Sequence, residues 1–93
     1  MSHSENRPYR IEIKRSALKV LAKLPAKHRL QVQQAIDGLA GNPRPPGVKK
    51  LEGERTLHRI YCGVYRVIYD IFDDTISICV VRVGHRKDVY RNL

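Results

Sequence analysis

The chain has 93 residues, 42% of them hydrophobic, with 18 Lys and Arg against 9 Asp and Glu for a formal net charge of +9. That length supports one modest core that hides about 60–65% of the unfolded surface, which excludes a second domain, and the apolar periodicity excludes a disordered tail. No apolar run approaches the roughly 18 residues of a membrane span, and polar residues stand where a secretory signal carries its apolar stretch, so a cytoplasmic protein without membrane contact is expected.

Residues 1–8 are polar and aperiodic and read as a flexible tail, leaving 9–93 as the domain. Tyr9, Ile11 and Ile13 alternate as in a half-buried strand. Ser16 is a suitable N-cap for a helix whose stripe is Ala17, Val20, Leu21 and Leu24, closed by Pro25. A second helix starts at Pro25, turns Leu30, Ile36 and Leu39 inward and ends by Gly41, Asn42 and Pro43. The following Gly-Asn-Pro-Arg-Pro-Pro-Gly run, 41–47, is a connector, because its three prolines remove backbone donors and favour extended geometry. Three β-branched and aromatic stretches, 56–61, 64–72 and 75–83, read as an antiparallel meander with turns at Cys62-Gly63 and Asp73-Asp74. The expectation is an α+β fold, β-α-α-β-β-β, with a two-helix hairpin packed on one face of an antiparallel sheet.

Strand alternation then assigns roles. If Tyr65, Val67, Tyr69 and Ile71 face the helices, Arg66 points with Ile68 and Asp70 to an uncovered face. There Arg66 is either a phosphate ligand or a solvated strand arginine paired with Asp70; the pattern favours neither. Lys49, Lys50, Arg55, His58, Arg59, Arg82, His85, Arg86 and Lys87 surround it, with Tyr61, Tyr65 and Tyr90 interleaved, a combination suited to single-stranded RNA. The charge excess alone would equally serve an anionic membrane or an acidic protein. His3, His28, His58 and His85 lack partners at zinc spacing and no glycine-rich loop precedes a helix, so neither metal nor cofactor is expected. Cys62 and Cys79 lack CxxC spacing and read as reduced thiols on strands.

Pro43, then Val48-Lys49-Lys50-Leu51-Glu52-Gly53, Arg59-Ile60, Gly63-Val64-Tyr65-Arg66-Val67-Ile68-Tyr69 and Gly84-His85-Arg86-Lys87-Asp88-Val89-Tyr90 together resemble the RelE branch of the RelE/ParE toxin superfamily. The resemblance extends over nearly the whole chain from Tyr9 and rests on the order and spacing of short pieces. It implies a type II toxin that cleaves messenger RNA in the ribosomal A site without metal and is neutralised by a cognate acidic or amphipathic antitoxin. DNA would be met only indirectly, through the antitoxin complex. Arg66, Arg86 and Tyr90 match the family's motif positions and, with His85, are the candidate catalytic residues; Lys49, Lys50, Arg59 and Tyr61 are the candidate substrate-binding set. Two departures stand out: Glu52 follows Lys50-Leu51 where some members carry another basic residue, and Tyr61 occupies the place of a second lysine. The chain closes three residues after Tyr90, so the long C-terminal helix of some relatives is not expected. The alternatives are a ParE-like gyrase inhibitor on the same fold and a homologue that retains only RNA and antitoxin binding.

Overall fold

The computed structural model describes residues 7–51, 53 and 56–89. Its elements are β1 (Arg10–Ile13), α1 (Arg15–Lys23), α2 (Ala26–Gly38), β2 (Lys49–Lys50), β3 (Leu57–Cys62), β4 (Tyr65–Phe72) and β5 (Ser77–His85). They form one five-stranded sheet in the order β1-β5-β4-β3-β2, with the helices against one face. The β2–β5 ladders are antiparallel, but β1 lies parallel to β5, with Arg10 opposite Ser77 and Ile13 opposite Val80. The sheet is therefore mixed, not wholly antiparallel. Side-chain alternation has the same period in both kinds of pairing and carries no sign of strand direction.

The helix-facing side of the sheet is Ile60, Val67, Tyr69, Ile71, Ile78, Val80 and Val83, which bury Ala17, Leu21, Val32, Ile36 and Leu39. The expected β4 alternation holds on this side, with Tyr65 partly buried at its end. The helices differ from expectation in detail. Lys14, not Ser16, is the N-cap of α1, because its amide is spent on the Val80 carbonyl at 2.9 Å and the helix begins directly after this last sheet contact. Val20 is exposed at the edge of the α1 stripe, and Leu30, expected inward, is 59% exposed while Val32 is buried. Two residues turn a helix by about 200°, so Leu30 and Val32 cannot share a face, and the Val32, Ile36, Leu39 spacing fits the sheet.

The opposite face is not uncovered. Ile68 and Asp70, expected to be open there, are 0% and 2% exposed. Ile68 stands in register between Arg59 of β3 and Arg82 of β5. Cys62 and Cys79 are half-buried and unbridged, and burial pushes the Cys62 thiol upward.

One cluster ties the chain's distant parts together. The Tyr9 hydroxyl donates to Asp73 Oδ1 at 2.7 Å, and Arg44 from the connector donates to both Asp73 oxygens at 3.3 and 3.0 Å. Tyr69, buried beneath, donates to the Pro43 carbonyl at 2.7 Å, and burial raises its pKa to about 12. The Arg44 hydrogen bonds, then that of Tyr9, hold the Asp73 carboxyl below its ordinary range, while Asp73 raises the Tyr9 phenol. A lowered folded pKa contributes stability that is present above the unfolded value of ~3.9 and is lost as pH falls through the folded value. Asp73→Asn is therefore expected to lower the urea midpoint at about pH 7 and to match the wild type near pH 2. A gap that persists in acid would assign the loss to something other than this carboxylate. The raised Tyr9 has the opposite sign: its contribution is whole below ~10 and is lost as pH climbs through the folded value.

Candidate nucleic-acid interface

Antiparallel register assembles the site. Arg59 and Tyr61 alternate on β3; Tyr61 lies opposite Arg66 of β4, and Arg59 opposite Ile68. All four belong to the face turned away from the helices, because their strand neighbours Ile60 and Val67 enter the core. On β2, Lys49 is in register with Arg59 and extends this face. Lys50 is in register with His58, which is buried against Tyr69 on the helix side, so the two lysines do not act together on one face.

Tyr61 is the pivot of the group. The residue is 54% exposed, and the Arg66 and Arg59 guanidiniums lie 3.8 and 4.3 Å from its ring centroid. Sequence reasoning offered this ring to a base; in the fold it holds two cations by attraction to its π face. Arg66 Nη1 also donates to the Gly63 and Tyr65 carbonyls, at 3.2 and 3.3 Å, which anchors it to the β3–β4 hairpin. Gly63, with φ of +64°, supplies the left-handed residue which that hairpin requires. Among the described residues Arg66 forms no ion pair, and Asp70 accepts from the Thr56 hydroxyl at 3.4 Å, so the Arg66–Asp70 pairing considered from sequence is not made. The result is a preoriented, charged guanidinium with donors to spare.

The segment after β5 returns to the same end of the sheet. Arg86 is exposed, and its amide donates to the Val64 carbonyl at 2.7 Å, two residues before Arg66. Tyr90 lies outside the described residues, as do Arg55 and Glu52. His85 is not brought to the cationic group: it pairs in register with Tyr65 and meets that ring edge-on at 6.0 Å, while Tyr65 also meets His28 at 5.3 Å. Its Nδ1 accepts the Lys87 amide at 3.1 Å, so the ring caps a turn on the helix side of the sheet. Arg82, by contrast, is one basic residue among many in the sequence, and the ladder sets it opposite Ile68 on the cationic face. Its signal was present as a phase slip in the apolar spacing, from Ile78 and Val80 to Val83. Among the described residues no three His, Cys, Asp or Glu side chains gather as a metal site would need, and no helix is long and apolar enough to cross a membrane.

Comparison with known proteins gives this arrangement its family. Residues 11–90 match the family model described as the ParE toxin of the type II toxin–antitoxin system parDE. Toxin RelG of Mycobacterium tuberculosis is 32% identical over 88 residues, covering 90% of this chain and 98% of the relative. A putative toxin RelE1 of Methanocaldococcus jannaschii is 29% identical over 87 residues, covering 90% and 97%. Among solved structures, the RelE–RelB complex of Pyrococcus horikoshii OT3 superposes with a TM-score of 0.78 at 31% identity over 88% of this chain and 99% of its own. The isolated Escherichia coli RelE toxin gives 0.71 at 26% identity, covering 83% of each chain. The chain belongs to the RelE/ParE family of type II toxin–antitoxin toxins. The named relatives and structural neighbours are RelE and RelG proteins, and within that family this is a RelE-like toxin.

Proposed function

We propose that this toxin is a ribosome-dependent endoribonuclease that cuts messenger RNA in the A site and so halts translation in the cytoplasm. The observation that carries the reading is Arg66, held half-buried by the Gly63 and Tyr65 carbonyls and the Tyr61 ring, with Arg59 beside it and the Arg86 turn fastened to the same hairpin. Cleavage needs a ribose 2′-hydroxyl to lose its proton and attack the adjacent phosphorus, forming a 2′,3′-cyclic phosphate as the bond to the 5′-oxygen breaks and that oxygen takes a proton. An arginine stays protonated and serves as a fixed donor to the phosphorane oxygens. Arg66 and Arg86 take that role; Lys49 and Arg59 hold the backbone phosphates, and Tyr61 keeps the guanidiniums in place.

Tyr90 is the residue we assign to orienting or deprotonating the 2′-hydroxyl, on its match to the family's motif position and the capacity of a phenol for proton transfer. An imidazole is the more usual proton acceptor, but His85 lies across the sheet from Arg66 with Nδ1 already accepting. Among the described residues no strong acid–base pair stands beside Arg66, so the ribosome would supply substrate geometry, and free RNA would be a poor substrate.

We also infer a cognate antitoxin, acidic or amphipathic, that covers the cationic face; the net charge of +9 and the existence of RelE–RelB complexes in relatives support it. The family model's own description favours one competing reading, a gyrase poison of the ParE kind. The experiment is cleavage mapping in a translation extract beside a gyrase supercoiling assay, with and without the antitoxin encoded alongside. We expect A-site cuts that the antitoxin abolishes, and unaffected supercoiling; blocked supercoiling with intact message would overturn the reading.

A further inference from the structure

β5 changes phase part way along. Ile78, Val80 and Val83 all enter the core, although the last step spans three residues. The β4–β5 ladder absorbs the extra residue, Val81, between the Tyr69–Val80 and Ile68–Arg82 pairs. In a strand of unbroken alternation Arg82 would share the side of Val80 and enter the apolar core. The bulge instead sets Arg82 on the cationic face opposite Ile68, and Gly84 on the same face opposite Arg66.

There Arg82 Nη1 donates to the Val89 carbonyl at 3.3 Å. Val89 is 1% exposed and closes over Gly84, where a Cβ would stand 3.5 Å from the Val89 Cα and Cβ. The Asp88 and Val89 amides both donate to the His85 carbonyl, at 2.8 and 3.0 Å, and the Arg86 amide is held by Val64. Residues 85–89 thus form a closed turn, fastened at one end to the β3–β4 hairpin and at the other to Arg82. Arg86 lies within it, and Tyr90 is the next residue along the chain.

We propose that Arg82 is a positioning residue for RNA cleavage: by holding the Val89 carbonyl it fixes the 85–89 turn, and through it where Arg86 meets the phosphate that Arg66 holds. The inference rests on the cleavage reading above. A transition-state donor displaced by about 1 Å can lose as much as ~10²-fold in rate, so a residue that never touches RNA has this much leverage.

Arg82→Met keeps much of the aliphatic stem and removes the donor; Arg82→Lys returns a charged donor without the planar fork. In ribosome-dependent cleavage, Arg82→Met is expected to lower kcat by about 10- to 100-fold with little change in KM, and Arg82→Lys to recover part of the loss. The Asp88 and Val89 amides should exchange hydrogen faster in Arg82→Met while β4 stays protected. In an Arg86→Ala background, Arg82→Met should cost far less than it does alone, since the group it positions is gone. A raised KM with normal kcat would mark Arg82 as a direct phosphate contact and overturn the proposal, as would full additivity with Arg86→Ala or unaltered exchange in the turn. A wild type that leaves ribosome-bound message intact overturns the cleavage reading and this role together, whereas a cleaving wild type with an indifferent Arg82 overturns this role alone.

Discussion

Alanine at Arg66 or at Arg86 is expected to slow ribosome-dependent cleavage by roughly 10²–10³-fold, about 2.7–4 kcal/mol of transition-state stabilisation, because each removes one preorganised donor to a developing oxyanion. Neither side chain belongs to the apolar core, so both variants should fold. Tyr61 separates electrostatic positioning from base stacking. Tyr61→Phe keeps the ring under both guanidiniums and should cleave nearly as well as the wild type, while Tyr61→Leu frees them and should be slower. Single-turnover kinetics on programmed ribosomes measure all four. Wild-type rates from a folded Arg66→Ala protein would remove this arginine from the chemistry.

Ile36→Ala is expected to cost about 2–5 kcal/mol, because Ile36 is fully buried on α2 within the single core and its truncation leaves a cavity the sheet cannot fill. Each kcal/mol lowers the thermal midpoint of a domain this size by about 4–8 °C, so the melt should fall by at least ~8 °C. The same change at Leu30, on the same helix but exposed, should shift stability by no more than about 0.5 kcal/mol. Equal losses at the two positions would mean that α2 is rotated from the orientation described.

That contrast marks where the sequence was legible. A period of two in Tyr65, Val67, Tyr69 and Ile71 was enough to place Arg66 on the far face, whereas Arg59 and Tyr61 are grouped around it in the sequence only by charge and aromatic content, and the β3–β4 register is what sets them beside it. Helix stripes were read less well: Leu30 is as apolar as Ile36, and only the docking against the sheet decides which of them turns inward. β2 has two residues and no alternation to detect, so Lys49 and Lys50 read as a basic patch although register divides them between faces. His85 and Arg82 both belong to the basic set that the sequence groups around Arg66, and the register leaves only Arg82 on that face. Both follow the bulge at Val81, where counting by twos gives the wrong side. The partner of β1 was hidden by sequence distance, since Arg10 pairs with Ser77, 67 positions further on, and both helices and three other strands lie between them.

The parallel seating of β1 against β5 also sets how the domain resists force. Because the two strands run the same way, tension applied ahead of Arg10 and beyond His85 pulls from opposite ends of the seam. All four residue pairs from Arg10–Ser77 to Ile13–Val80 are then loaded together in shear. An antiparallel seam would present both ends on one side and peel apart a rung at a time. A machine that unfolds this toxin by drawing on one end while the other is held must therefore break the whole seam in one event, and its rate will follow the height of that barrier rather than the equilibrium stability of the fold.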